Sequence, residues 1–447
     1  MLLKIAFRNI LRNGRRSLMT CGAIVVSAVA MILFGEYQQF ITKGVETGVV
    51  ARMGHLTIFQ AGYFDFGAGN PGGYSISGYR KVIDLIKNDP VLKPMLRIVT
   101  PQVSMFGIAG SAETDTSKTF MGMGVVPSDR ERMIHWDDYH FYDDLPRSVP
   151  RQFHFGLKDG EPDKGIIGAG MGRSLGLCKH FKRGDCGKSA TDGALKALPG
   201  REPRLDLLAA SAGTPNIVRL TVVELRQQGF KEIDDMYVGM DIALAQQLLY
   251  GRDEHKAVAI IVQLLHTADL DKARDRLNAL FKEHHLDLEV RDFTEVQPAY
   301  NQITGLFDAI FAFISVILTI IVLFTVVNTM SMSVMERTNE IGTIRAMGVR
   351  RSGVRRQFVV EGLLLGAIGA TAGVLLGTLG GFWFNHLGLT WHPPGQAAEV
   401  PLLLRTTGVL VLQLSVWAAL VVMAALAALV PANRAARMKV VDALRHV

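Results

Sequence analysis

Ala309-Ile-Phe-Ala-Phe-Ile-Ser-Val-Ile-Leu-Thr-Ile-Ile-Val-Leu-Phe-Thr-Val-Val-Asn-Thr-Met-Ser-Met-Ser-Val-Met335 carries no charged side chain and is dense in Ile, Leu, Val and Phe. A hydrocarbon core about 30 Å thick is crossed by roughly 20 such residues in a helix. The stretch therefore reads as a membrane span. Three further runs pass the same test: Leu18 to Gly35, continuing into Tyr37 and Phe40; Gly362 to Asn385; and Thr406 to Asn433. With 49% hydrophobic residues and a mean hydropathy of +0.23 over 447 residues, the chain is too apolar for an ordinary soluble protein and too polar for a bundle confined to the bilayer. A few spans plus one large soluble part fit both facts.

The charges beside these runs set an orientation. Lys4, Arg8, Arg12, Arg15 and Arg16 precede the first run without an acid. Arg337, Arg345, Arg350, Arg351, Arg355 and Arg356 stand against Glu336 and Glu340 between the second and third. The tail holds Arg434, Arg437, Lys439 and Arg445 against Asp442, whereas the loop between the third and fourth runs has only Glu399 and Arg405. By the positive-inside rule both termini and the middle loop are cytoplasmic, and the long segment after the first run is exported. The net charge of +7 thus tracks membrane topology rather than nucleic acid. Ala28-Val29-Ala30 resembles a signal-peptidase site, but the apolar run continues through Met31-Ile-Leu-Phe34, and either reading exports the long segment beyond it.

The fold class expected is membrane α-helical, four transmembrane helices with N-in/C-in topology, and a large α+β extracytoplasmic domain between helices 1 and 2. Residues 1–17 form a cytoplasmic amphipathic helix, since Lys4, Arg8 and Arg12 recur every four residues beside Ile5, Phe7, Ile10 and Leu11. The transmembrane helices fall at 18–41, 301–335, 357–385 and 406–432. The extracytoplasmic domain covers 42–300, a cytoplasmic coupling segment 336–356, an extracytoplasmic loop 386–405 and a cytoplasmic tail 433–447. The run Ile303 to Met335 would be roughly 50 Å long as a helix, more than a bilayer needs, so it should project outward as a stalk.

In the exported part, strands are expected at His55–Gln60, Ile217–Leu225 and Ala257–Val262, a helix at Asp269–His284, and a loop over the glycine-rich Gly62–Tyr74. Cys178 and Cys186 lie where a disulfide is permitted, and a local bond between them is expected; two free thiols are the alternative. His135-Trp-Asp-Asp-Tyr-His-Phe-Tyr-Asp-Asp144 is rich in ligand atoms but lacks the ordered spacing of a metal site, and it reads as a solvated loop. No metal site is expected. His284-His285 ends a helix, where it suits the dipole. No Ser/His/Asp arrangement emerges. Gly187-Lys188-Ser189 is a P-loop fragment with Lys182 where the first glycine belongs, so no nucleotide site is expected.

Within the spans, Gly362, Gly366, Gly369, Gly373, Gly377 and Gly381 make a stripe of small residues that lets another helix approach closely, either in the same subunit or in a second one. Asp308 and Glu361 lie near span ends and read as interfacial groups in reach of headgroups and water.

The segment after the second span is short, charged and helix-compatible, with Ile341, Ile344 and Met347 sharing one face at helical spacing and Glu336, Glu340 and Arg345 around it. It suits docking on another protein, or a solvated connector. Ser333-Val-Met-Glu-Arg-Thr-Asn-Glu-Ile-Gly-Thr-Ile-Arg-Ala-Met-Gly348 resembles the signature of the MacB, FtsX and LolC/LolE family of ABC permeases, close to S-V-x-E-R-T-x-E-I-G-x-x-R-A-x-G. The opening Ala6-Phe-Arg-Asn-Ile-Leu-Arg-Asn13 and the tail Pro431 to Arg445 are also similar to the family, with Val440 where proline is usual. Ile166 to Leu177 matches more loosely, and Gly54 to Tyr63 leans toward the LolC/LolE-like branch.

The resemblance implies that Glu336, Arg337, Glu340, Ile341, Gly342, Ile344, Arg345, Ala346, Met347 and Gly348 belong to a coupling helix that touches a separate ABC ATPase. That partner would bind ATP and Mg, and this chain no cofactor. It further implies a non-catalytic subunit of the inner membrane, paired with a second permease copy or paralogue. A periplasmic adaptor or lipoprotein carrier would be a further partner. Lipoprotein release or efflux is the implied function, and regulation of an extracytoplasmic hydrolase, as in FtsX-like members, is the alternative.

Overall fold

The computed structural model describes residues 2–12, 14–67, 69–143, 154–181, 186, 194–209, 216–252, 254–391, 400–438 and 440. Asp144, Lys182, Gly187-Lys188-Ser189, Glu399, Lys439, Asp442 and Arg445 lie outside them. Two compact units are present: a helical unit of Met1–Thr42, Gln302–Leu389 and Leu402–Val447, and an inserted unit of Lys43–Asn301 and Thr390–Pro401. Four helices are long and apolar enough to cross a membrane: Gly14–Met53, Pro298–Glu336, Arg351–Asn385 and Leu410–Arg437.

The chain opens with α1 (Leu2–Arg12) and α2 (Gly14–Met53), the latter an unbroken helix of 40 residues, roughly 60 Å long. Gly44 and Gly48 do not interrupt the helix, which continues well beyond residue 41 and stops only at Gly54, at φ +70°. A Cβ at Gly54 would lie 2.8 Å from the Val262 carbonyl, so both the backbone angle and the close approach call for glycine. The orphan carbonyls of this helix end are met by side chains of the inserted unit. Gln263 donates to Val50 O at 3.1 Å and Arg130 donates to Arg52 O.

The inserted unit is built on one ten-stranded sheet. In chain order its elements are β1 (Leu56–Gln60), α3 (Tyr79–Asn88), β2 (Leu96–Ser111), β3 (Thr116–Val125), α4 (Pro127–Ile134), β4 (Lys164–Gly168) and α5 (Ala169–Ser174). There follow β5 (Ala194–Lys196), β6 (Arg204–Ala209), β7 (Asn216–Arg226), β8 (Tyr237–Asp241), α6 (Ile242–Tyr250), β9 (Ala259–Leu264), α7 (Leu270–Glu283) and β10 (Leu288–Asp292). The strand order is β10-β1-β9-β2-β3-β8-β4-β7-β5, and β6 pairs with both β2 and β7. That double pairing closes the ring β2-β3-β8-β4-β7-β6 into a six-stranded barrel. Alternate residues fill it: Val103, Met105 and Ala109 from β2, Leu205 and Leu207 from β6, Val218, Leu220 and Val222 from β7, with Leu244, Leu248 and Leu249 of α6 in the same core.

The other arm, β10-β1-β9-β2, is antiparallel and carries α3 and α7 on one face. Its β-α-β, β-α-β sequence in that strand order is a split βαβ (ferredoxin-like) arrangement, with the barrel inserted between its second and third strands. β2 is 16 residues long because it serves both lobes. Leu96 to Gln102 pair with β9, and Gln102 to Ser111 pair with β3. Cys178 and Cys186 are bonded to each other, with Cys186 buried in the barrel core. Gly62–Tyr74 is not wholly loop: Tyr63–Gly67 form a π-helical turn, held by Tyr63 stacked 4.6 Å from Phe59.

The helical unit resumes with α8 (Pro298–Glu336), α9 (Thr338–Ala346), α10 (Arg351–Asn385) and α11 (Leu410–Arg437). The glycine stripe of α10 is consumed inside this unit. Gly362 and Gly366 meet Ala428 and Ala424 of α11, while Gly369, Gly373 and Gly377 meet Ile24, Ala28 and Ile32 of α2. A Cβ at Gly369 or Gly377 would sit 2.9 Å from the Cβ of Ile24 or Ile32, so these backbones touch because side chains are missing. Gly381 faces Glu36. α8 instead leaves most of its apolar surface exposed, Phe313 and Phe324 included. Near residue 308 it meets α2 through the stacked Phe34–Phe311 pair and a Gln38 to Asp308 hydrogen bond.

Candidate coupling site

The stretch from Glu336, the last residue of α8, to Arg345 of α9 is fastened to four other elements of the helical unit. Arg12, at the end of α1, donates to both carboxylate oxygens of Glu340 at 2.8 and 2.9 Å. Arg16 of α2 pairs with Glu336. Arg337, between α8 and α9, donates to the two oxygens of Glu361 on α10 at 3.1 and 3.3 Å and to Asn9 O at 3.3 Å. Asn9 completes the group by donating to Glu361 at 2.6 Å. A small polar cavity lined by Asn9, Arg16, Ser17, Thr329, Arg337 and Glu361 lies at this junction. At the far end of α9, Arg345 donates to Ala436 O at 2.7 Å and Met438 O at 3.3 Å, so its charge caps the C-terminus of α11.

The helix stops in a Schellman motif. Val349 N–H donates to Ile344 O and Gly348 N–H to Arg345 O, with Gly348 at φ +95°. That backbone angle is the physical reason for glycine here. Beyond it Met347, 73% exposed, and Val349 protrude, followed by exposed Arg350, Arg351, Arg355 and Arg356.

Two expectations change. Ile341, Ile344 and Met347 do not form one free face. Ile341 is buried in the helical core, Ile344 lines a groove against Val354 and Phe358, and only Met347 is open. Each step of three residues turns a helix by 300°, so Ile341 and Met347 point about 120° apart. Gly342 and Arg337 are likewise buried, whereas Glu336, Glu340, Ala346, Met347 and Gly348 are exposed and Arg345 half-buried. Glu361, read as interfacial, is 3% exposed and paired with Arg337 inside the helical unit.

Sequence reasoning missed Glu36. It is fully buried beside Gly381, and neither carboxylate oxygen has a hydrogen-bond partner among the described residues. Its signal was a lone acid inside an apolar run, which is costly in a span.

A second tight junction sits where α2 enters β1. His55 is buried, and its Nδ1 accepts from Leu264 N–H at 3.0 Å, which leaves the ring proton on Nε2, 3.2 Å from Thr267 Oγ1. Burial pushes its pKa down to about 3, against a small opposing pull from Asp138. Trp136 stacks edge-on at 4.9 Å and donates to Leu265 O at 3.1 Å. Asp137, from the same run, caps Phe141 and Tyr142 N–H, and Asp138 pairs with His266. β10 leaves beside β1, with Leu56 opposite Asp292 and Phe293 N–H donating to His55 O at 3.0 Å. Asp292 then starts Phe293–Val296 with a capping box to Glu295.

These features define a polytopic helical membrane protein with a large α+β unit inserted after its first long helix. Residues 312–440 match the FtsX-like permease C-terminal family. The macrolide export ATP-binding/permease protein MacB of Escherichia coli is 31% identical over 130 residues, 29% of this chain and 20% of that protein. MacB 1 of Aeromonas hydrophila is 29% identical over 167 residues, 37% of this chain and 26% of that protein. The chain is thus a relative of the MacB/FtsX permeases, and it spans less than a third of the length of these relatives. The periplasmic region of MacB from Actinobacillus actinomycetemcomitans aligns with 56% of this chain and 94% of that one at 12% identity, with a TM-score of only 0.32.

Proposed function

We propose that this chain is the permease subunit of an ABC transporter of the efflux or lipoprotein-release type. In this reading a separate ATPase binds ATP and Mg and bears on the exposed rim of α9, Met347 to Arg356. The termini and α9 face the cytoplasm, the inserted unit lies outside it, and the chain itself carries no catalytic group. One observation carries the reading: the stretch Glu336 to Arg345, the end of α8 and most of α9, is tied by ion pairs and hydrogen bonds to α1, α2, α10 and α11, so a push on it moves the helical unit as a body. The unbroken helices α2 and α8 would carry that movement toward the inserted unit, in which Gln263 and Arg130 hold the last carbonyls of α2.

The test is co-expression with an ABC-type ATPase from the same source, purification through a tag on this chain, and ATP hydrolysis measured in nanodiscs. Wild type should retain the ATPase, and Met347→Asp with Arg351→Glu should release it while the helical unit stays folded. Failure of wild type to retain any such ATPase, or full retention by the double variant, would overturn the proposed role.

A further inference from the structure

Glu131 and His135 lie one turn apart on and just after α4, so both side chains project from the same side of that helix. His154 arrives from a separate segment. Its two neighbours in the fold fix its backbone: Phe155 is 2% exposed in a core cluster with Val125 and Tyr237, and Arg226 donates to His154 O. His154 Nδ1 stands 2.8 Å from Glu131 Oε1, and His135 Nε2 stands 3.3 Å from the same oxygen. The three ligand atoms all fall within 4.8 Å of one another. The second oxygen of Glu131 accepts from Phe155 N–H at 2.5 Å, which orients the carboxylate and leaves Oε1 pointed at the two imidazoles.

The geometry points to a divalent metal site of the zinc type at Glu131, His135 and His154. A tetrahedral ion with bonds of 2.0–2.1 Å spaces neighbouring donor atoms about 3.3 Å apart; the His135 contact has that spacing, and the His154 contact, at the 2.8 Å of a hydrogen bond, would open slightly to admit the ion. Two imidazole nitrogens and one carboxylate oxygen suit zinc and its late first-row neighbours, and suit magnesium or calcium poorly. The three residues are half-buried or exposed, so the fourth position opens to solvent and would hold water. Nearby cations are turned away from it. Arg97 donates to His135 O at 3.0 Å, and Arg226 is paired with Glu224 at 2.7 Å as well as with His154 O. Phe155 N–H acts as the supporting contact that such ligands usually have. A bound ion would tie α4, which packs under β9 and β2 through Met133, to the segment that leads into β4. This site is independent of the permease reading, since it uses neither α9 nor any transport step.

The experiment uses the full chain, untagged and stripped with a chelator, in nanodiscs. Zinc is titrated at neutral pH by calorimetry and by competition with a chromophoric chelator. Cobalt is added in parallel to read coordination from its visible spectrum. Wild type should take up one equivalent of zinc with an affinity on the order of micromolar or tighter, and cobalt should give the intense absorption of a four-coordinate ion. Glu131→Gln, His135→Gln and His154→Gln should each weaken zinc binding at least about tenfold. His284→Gln with His285→Gln, at the end of α7, should leave it unchanged. Binding that is not saturable, a six-coordinate cobalt spectrum on wild type, or equal loss in the His284/His285 variant would each overturn the site. The cobalt spectrum needs no variant, so it decides even where a substitution harms folding.

Discussion

Replacing Glu361 by leucine removes one half of an ion pair that water scarcely reaches: the two side chains are 5% and 4% exposed. Arg337 would keep only the Asn9 carbonyl at 3.3 Å, and Asn9 would lose its acceptor. Removing one partner of a buried pair costs about 3–5 kcal/mol, because the surviving charge stays desolvated. No discount for solvent screening applies here. For a unit of this size about 1 kcal/mol corresponds to roughly 2–4 °C, so the unfolding midpoint should fall by roughly 6–20 °C. Arg337→Met leaves Glu361 with Asn9 and should cost a similar amount. The double variant Arg337→Met with Glu361→Leu leaves no charge and should regain at least half of the loss. The assay is a double-mutant cycle on full-length protein in nanodiscs, read by thermal unfolding and by hydrogen exchange across α9. Single variants that shift the midpoint by less than about 2 °C, or a double variant no better than either, would refute the claim that this pair pins α9.

Three further outcomes are expected. Gly373→Val should lower stability by about 1–3 kcal/mol, since a Cβ there meets Ala28 and lies 2.9 Å from Val25 O; Gly380→Ala, 3.8 Å from Leu33, should be near neutral, and thermal unfolding compares them. Glu36→Leu should raise the stability of the helical unit by about 1–3 kcal/mol by removing a buried carboxyl that has no hydrogen-bond partner among the described residues, and a drop in melting temperature would show that the group has a partner. His55, with its pKa held at about 3 in the fold against 6.5 when free, takes up its proton mainly on unfolding between those values. Its contribution to stability is therefore fully present above pH 6.5 and falls by up to about 1.4 kcal/mol per pH unit as the pH drops toward 3. Hydrogen exchange of β9 peptides at pH 5 and pH 7.5 should show faster opening at pH 5, and His55→Gln should flatten the difference.

The helical unit was largely legible in the sequence because its determinants are local. An uncharged run of twenty residues has one reading, and glycines every three or four residues mark one side of a helix whatever packs there. The inserted unit was only half legible. Strands such as Leu56–Gln60 announce themselves by alternation, but the barrel closes because Arg204–Ala209 pairs on both edges, with β2 and with β7. Short, mixed strands of that kind carry no local mark of their partners. The contacts around α9 were hidden for the same reason. Arg337 and Glu361 are 24 residues apart, and Arg12 and Glu340 are 328 apart. No spacing rule links them, and only tertiary packing decides which charges of a basic loop are spent internally and which stay free.

That division of charges bears on how α9 could work. If it were a loop held by hydrophobic contact alone, Ile341 could slide against Val354 and Phe358 with little loss, because apolar contacts are not directional. Ion pairs at three points resist such sliding, since each fixes a separation and an angle. Two of them, Arg12–Glu340 and Arg16–Glu336, are exposed and individually worth little, about 0–1 kcal/mol. The buried Arg337–Glu361 pair therefore sets the position of the turn between α8 and α9, and the outer two add little to it. Stiffness at this joint is what the proposed permease role would require of α9. Met347, Val349 and the arginines beyond Gly348 are exposed past Arg345, the last point of attachment on α9.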